Sequence, residues 1–243
     1  MVKTENNTQS ARPNHVGFIV DGNRRWAKSH GLKTADGHKK GFEVLKQMAY
    51  IAKDRGIDYV SVFIFSTENW SRSKSEVSYL MRLFLRSFKY DMHKMAQDGF
   101  RIIFLGQRDR LSKDILKAIK ETEDISSGNK GITLALCFNY GGRSEIVDAS
   151  KKIAQALNNG DLSVEEVANF KESDFSNYLY HPDLPDIDLM VRTSGEERLS
   201  GFMLWRIAYS ELLFIKKNWP DMVAGDFDFC LEQFAARQRR FGR

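Results

Sequence analysis

Only two cysteines stand in 243 residues, Cys137 and Cys230, far apart and in no C-x-x-C pair. That excludes a disulfide-stapled scaffold and a cysteine zinc site, and it suits a reducing compartment. With 17 glycines and 4 prolines the chain is neither collagen-like nor a disordered linker. No apolar run approaches the ~18–20 residues that span a bilayer. Residues 1–14 lack the apolar core of a secretory signal and read as a disordered lead-in. Neither G-x-x-x-x-G-K-[ST] nor G-x-G-x-x-G occurs, which removes the P-loop and dinucleotide readings. No G-x-S-x-G elbow occurs, and no cysteine lies in a polar loop, so covalent hydrolysis is not expected. Adjacent aspartates are absent as well, and Asp-rich metal motifs with them.

What is present is a chain 42% hydrophobic and 28% charged, long enough to bury a core without staples. The net charge of +5 is mostly a tail effect: Arg237, Arg239, Arg240 and Arg243 lie in the last seven residues. The remainder is nearly neutral, so a global nucleic-acid surface is not expected. Apolar runs at His15–Val20, Tyr59–Phe65, Arg101–Leu105, Ile132–Phe138, Ile187–Arg192 and Glu211–Ile215 read as strands. Helical spacing separates them, for example over Phe42–Ala52 and Val77–Met95. Ser73 with Glu76 and Ser163 with Glu166 form capping-box patterns. The reading is α/β: one domain over residues 15–243, with a central, mostly parallel sheet of about six strands flanked by helices.

Ligands of such sheets bind where the strands end. The segments DGNRRW, STENWSR, NYGGR and RTSGEERLS follow strands one, two, four and five, and should converge on one rim. They carry Arg24, Arg25, Arg72, Arg143, Arg192 and Arg198, a set suited to phosphate or diphosphate. Asp21, Glu68, Glu196 and Glu211 lie among them, and carboxylates beside a diphosphate site point to Mg2+. Each has a plainer reading. An aspartate after a strand is often a turn residue. Arg198 has Glu196 and Glu197 within reach, and the apolar face of Val77–Met95 packs a core unless the substrate is a lipid. His15 and His38 suit hydrogen bonding better than a metal pair.

The strings HVGFIVDGNRRWAKSHG, GHKKG, FSTENWSR, FNYGGR and DLMVRTSGEERLSGFMLW, then IAYSELLF and WPD, resemble the cis-prenyltransferases in order and spacing. The resemblance runs from about His15 to Gly242. It implies a Mg2+-dependent condensation of isopentenyl diphosphate with an allylic diphosphate such as farnesyl diphosphate, giving a Z-polyprenyl diphosphate, as undecaprenyl diphosphate synthase does. It implies that Asp21 binds Mg2+ and organises diphosphate departure. Gly22, Asn23, Arg24, Arg25, Trp26 and His38 then surround the allylic diphosphate. Ser66, Thr67, Glu68, Trp70 and Arg72 become substrate contacts, and Asn69 the residue matched to proton removal. An amide is a poor base, so Asn69 would position or relay the proton to a diphosphate oxygen or to Asp21. Arg192, Arg198 and Ser200 match the isopentenyl diphosphate site. Glu211 matches a second Mg2+ carboxylate reaching across a homodimer, and Arg240-Phe241-Gly242 an R-x-G that completes the partner's site.

Thr34 replaces the family's usual arginine, which removes one allylic contact unless Lys33 supplies it. Glu197 stands where a basic or neutral residue is frequent. An accessory subunit of this fold would have lost the D-G-N-R-x-W loop, which is intact here. An RNA-binding reading would need aromatics interleaved with the basic tail, which has only Phe241. The expectation is a cytoplasmic enzyme without nucleic-acid partners, with peripheral membrane contact for product release. An apolar tunnel between the sheet and the Val77–Met95 helix would hold the growing chain, narrowed by Ile64 and Phe138.

Overall fold

The computed structural model describes residues 12–237. The R-x-G at 240–242 and most of the 1–14 segment lie outside them. Pro13 is buried, and the Asn14 N–H donates to the Asp188 carboxylate at 2.8 Å.

Six strands form: β1 (His15–Ile19), β2 (Tyr59–Ser66), β3 (Arg101–Leu105), β4 (Thr133–Tyr140), β5 (Leu189–Arg192) and β6 (Glu211–Phe214). They make one sheet in the order β3-β4-β2-β1-β5-β6. Every pairing is parallel, so the expected mostly parallel sheet is wholly so. No two consecutive strands are joined by a tight turn; each connection is long enough for a crossover. The helices are α1 (Asn23–Ser29), α2 (Thr34–Asp54), α3 (Lys74–Gln97), α4 (Lys113–Ser126), α5 (Gly142–Asn159), α6 (Val164–Ala168), α7 (Glu172–Ser176) and α8 (Ala224–Ala236).

Period-two alternation gives each sheet face its own core. Phe18, Val62, Leu136 and Phe138 pack with Phe42, Phe84, Phe88 and Phe227 from α2, α3 and α8. Ile19, Phe63, Cys137 and Tyr140 pack on the other side with Phe202, Met203 and Ile207. Cys137 and Cys230 are both buried and free.

The segment after β1, which reads as a polar loop, instead folds into α1 and the first turns of α2. Apolar periodicity misses α1 because Ala27 is its one buried residue. Glycine spacing is what joins the two helices. A Cβ on Gly37 would meet the Asn23 carbonyl at 2.1 Å, and one on Gly41 would meet Asn23 Oδ1 at 2.1 Å. The Ser73 cap forms, with its hydroxyl accepting from the Glu76 N–H at 3.3 Å. The reciprocal bond does not form, because Glu76 turns to other partners described below. At Ser163 and Glu166 both bonds of the box are present.

The ladder between β2 and β4 is irregular where it meets the rim. Phe63 pairs with Cys137 and Phe65 with Phe138, which leaves Ile64 without a partner. Ser66 then pairs with Tyr140, leaving Asn139 unpaired at φ 50. Such bulges re-aim side chains beside binding sites.

His15 is fully buried; its Nδ1–H donates to the Pro185 carbonyl at 2.9 Å and its Nε2 accepts from Ser61 at 2.8 Å. Burial pushes the imidazole down to about 4. The unfolded chain therefore takes up the proton first as pH falls. Stability is complete above the ordinary histidine value and drops by about 1.4 kcal/mol per pH unit down to the folded value. Urea midpoints over that range should show this slope, flattened in His15→Gln; an unchanged slope would assign it to other groups.

Candidate active site

A cavity of about 830 Å³ opens at the C-terminal rim of the sheet. Asp21 and Gly22 line it from the β1–α1 turn, Asn23, Arg24 and Arg25 from the start of α1, and Thr34 and His38 from α2. Ser66, Asn69 and Arg72 enter after β2, Arg192 and Ser200 at and after β5. The apolar lining is Ile19, Val20, Leu32, Phe63, Ile64 and Leu80. Three of the four expected loops thus converge. The β4 loop does not reach the cavity, and its Arg143 is exposed. It is a scaffold: the Gly142 N–H donates to the Gly201 carbonyl at 2.8 Å, an approach a Cβ would block at 2.6 Å.

Asp21 is the carboxylate of this cavity, and both its oxygens are engaged. Oδ1 accepts from the Gly22 N–H at 2.7 Å and faces Arg25 at 3.1 Å; Oδ2 takes Arg192 at 3.0 Å. Burial works to raise its pKa, but the Arg192 and Arg25 guanidiniums outweigh that and hold it below the usual range. Arg192 is 4% exposed. Its Nη1 donates to Ser200 Oγ at 2.9 Å and to the Arg198 carbonyl, and its buried Nε has no partner. That leaves a charged donor aimed at nothing in the protein. Arg25 also reaches Glu196 at 2.9 Å, and Glu196 in turn pairs with Arg198. Arg198 is exposed and does not line the cavity, so the plainer reading of it describes this state.

On the opposite wall, the Glu76 carboxylate accepts from His38 Nε2 at 3.1 Å and from Arg72 at 3.0 Å. Burial, assisted by Arg72 and Arg24, keeps His38 below its ordinary value, so it is neutral near pH 7 with the hydrogen on Nε2. Burial opposes ionisation of Glu76, but His38 and Arg72 prevail and hold its pKa low.

Asn69 Oδ1 accepts from the Ser66 N–H at 3.1 Å. With the oxygen occupied, Asn69 offers its Nδ2 hydrogens, so it is a donor here rather than a proton acceptor. Thr67, Glu68, Trp26 and Trp70 do not line the cavity. Thr67 packs against Gly141, and Glu68 is exposed. Trp70 donates to Asn139 at 2.7 Å, with the Arg110 guanidinium 4.5 Å from its ring. Trp26 donates to Asp221 at 2.7 Å.

Asp221 belongs to a brace whose role spacing alone did not reveal, residues 218–221. The Trp219 N–H donates to the Asp21 carbonyl at 2.9 Å, and its indole to the Gly41 carbonyl at 2.8 Å. Asn218 lies where a Cβ on Gly22 would be, 2.5 Å from Oδ1, and Gly22 sits at φ 103. One short segment thereby fixes the Asp21 turn, α1 and α2 together.

Among the described residues no three His, Cys, Asp or Glu side chains gather as a metal cage. A single carboxylate next to guanidiniums fits Mg2+, which binds through one or two carboxylates plus substrate phosphate oxygens. The chain's own Glu211 cannot supply a second. It is in register with Leu189 and Val16, roughly 16 Å back along the strands from Asp21, and pairs with Arg237 at 2.8 Å.

A family model described as "Putative undecaprenyl diphosphate synthase" matches residues 19–242. An isoprenyl transferase of Thermotoga maritima is 44% identical over 230 residues, covering 95% of this chain and 97% of that protein. The ditrans,polycis-undecaprenyl-diphosphate synthase ((2E,6E)-farnesyl-diphosphate specific) of Micrococcus luteus is 38% identical, over 99% of this chain and 96% of its own. A crystal structure of lavandulyl diphosphate synthase from Lavandula x intermedia, in complex with dimethylallyl diphosphate, superposes with a TM-score of 0.90 at 33% identity. It covers 97% of this chain and 100% of that one.

Proposed function

The chain belongs to the undecaprenyl diphosphate synthase family and is a prenyltransferase, and from that premise we propose that it condenses isopentenyl diphosphate with an allylic diphosphate to give a Z-polyprenyl diphosphate. The observation that carries this reading is one cavity with two characters. Arg24, Arg25, Arg72 and Arg192 line it together with Asp21, and Ile19, Val20, Phe63, Ile64 and Leu80 supply apolar walls. That division suits an amphiphile with a diphosphate head.

In this reading the guanidiniums bind both diphosphates side by side, which supplies proximity. The unpartnered Nε–H of Arg192 and the Nδ2 group of Asn69 are ready donors to phosphate oxygen. The allylic C–O bond breaks as the terminal carbon of the isopentenyl unit bonds to the allylic carbon. The negative charge that develops on the departing diphosphate meets preorganised arginines. The apolar lining keeps water from the cationic fragment. A proton then leaves the isopentenyl C2 and the new double bond forms. Asn69 and Asp21 are poor acceptors, the first for its engaged oxygen and the second for its lowered pKa, so the proton passes to a diphosphate oxygen. Mg2+ bound by Asp21 and diphosphate oxygens would screen the leaving charge. The reading includes a homodimer, because Glu211 can approach an Asp21 site only from a second copy. It also places the catalytic unit over residues 15–243, in the cytoplasm with peripheral membrane contact. No helix of the described residues is long and apolar enough to cross a membrane.

The deciding assay incubates the protein with farnesyl diphosphate, labelled isopentenyl diphosphate and Mg2+, then sizes the extracted products. A ladder extended by isopentenyl units is expected; no extended product at any metal level would end this reading.

Product length follows from what lies beneath the apolar lining. Phe65, Phe84, Phe88 and Phe138 interlock with centroids 5.0–6.1 Å apart, and Phe138 is fully buried. Ile64 stands above this block in the cavity wall. Ile64→Ala, alone or with Phe138→Leu, is expected to shift products toward longer chains at a fixed substrate ratio. Leucine is the milder choice at 138, because the cavity left by alanine would cost ~3–5 kcal/mol. An unchanged distribution in the active double variant would place the limit deeper, at Phe84, Phe88 or Met92.

A further inference from the structure

We propose that the outer face of α3 docks on an anionic lipid surface. Arg82, Arg86 and Lys89 are exposed on one face of this helix, three and four residues apart, and none has an ion-pair partner among the described residues. Like charges at that spacing disfavour a helix, so the run is a cost that the fold itself does not explain. The contrast is with neighbouring α4, where Lys117 pairs with Glu121 and Lys120 with Asp124. On α3 the one nearby acid, Asp91, is already held by Lys46 at 2.6 Å and by Ser87. Tyr90 projects beside the cations at 71% exposure, with Met81 and Leu85 half-buried along the same helix.

Unpaired arginine and lysine with a protruding tyrosine and apolar flanks match the headgroup boundary of a bilayer. A nucleic-acid surface would instead interleave several stacking rings, and this face has one. The choice of lipid rests on the prenyl-transfer reading. The same helix contributes Leu80 to the cavity and Phe84 and Phe88 beneath it, so docking its outer face brings the apolar product to a membrane.

The test is co-sedimentation of the full chain with vesicles of phosphatidylcholine, alone and mixed with phosphatidylglycerol. The wild type should partition onto the mixed vesicles only, and release as salt rises. Arg82→Gln/Arg86→Gln/Lys89→Gln should partition less by about fivefold per cation, on the order of a hundredfold in all. The glutamate triple variant, which adds repulsion to the lost attraction, should partition less still. Turnover of both triple variants on detergent-dispersed substrates should be unchanged, which shows they are folded. Undiminished partition of the variants would assign binding to another basic segment and overturn the proposal. So would the absence of any preference for phosphatidylglycerol, or displacement of the protein from vesicles by RNA at equal phosphate. Failure of the prenyl-transfer assay would overturn the catalytic reading separately, with the vesicle result still standing.

Discussion

Asp21→Asn is expected to lower turnover on the order of a thousandfold while the protein remains folded. Among the described residues the charge of this side chain is the only anionic feature lining the cavity, and two guanidiniums hold it ionised. Asparagine keeps the shape and one acceptor for Arg192 but removes the negative oxygen that a divalent ion needs. Asp21→Ala is the harsher variant. It strands the guanidinium of Arg192, only 4% exposed, and breaking a buried pair in that way costs ~3–5 kcal/mol. Loss of activity in the alanine variant could then reflect a collapsed rim. Steady-state rates at saturating Mg2+, with thermal melts alongside, separate the two. A near-wild-type rate for Asp21→Asn would remove Asp21 from its assigned role. Binding of a diphosphate should survive the change, because the arginines remain.

Arg192→Ala should lower kcat/KM for isopentenyl diphosphate by about a hundredfold or more and also lower the melting temperature. Its fork serves Asp21, Ser200 and the Arg198 carbonyl at once, and each charge-assisted contact is worth roughly 1.5–3 kcal/mol. Lysine, a point charge without the fork, should recover little. Arg198→Ala makes the comparison. That side chain is exposed and, among the described residues, tied only to Glu196, so its loss should leave the melt unchanged. Its effect should be confined to the KM for isopentenyl diphosphate, at about tenfold, the lower end of one such contact. Equal losses on both substrates in either variant would contradict separate subsites.

The strands were legible because each is a short, largely apolar run; β3 falls on Arg101–Leu105 as read. The helix α1 was not legible, since its packing depends on Gly37 and Gly41 rather than on an apolar stripe. The arginines and Asp21 could be named from their loops and from the family resemblance. Their pairing could not be, because Asp21 and Arg192 are 171 residues apart and meet only when β1 and β5 become neighbours. For the same reason Arg143, chemically equivalent on paper, faces away, and the 218–221 brace passed unseen. The amide of Asn69 shows a further limit. Its residue type was readable, but which of its two ends faces the cavity is set by one backbone N–H of Ser66.

The unpaired Ile64 makes chain length at this point an evolutionary variable in its own right. Phe63 and Phe65 already pair with the consecutive residues Cys137 and Phe138, and they already serve opposite cores. Removing Ile64 would therefore splice two ladder positions that are adjacent on the partner strand, with no side chain inverted from one face to the other. A deletion in a central strand ordinarily flips everything beyond it. Here it would take away one wall residue of the cavity and leave the registry of both layers intact. In the reading in which Ile64 limits product length, losing or regaining this single codon would change the product range and spare the rest of the fold.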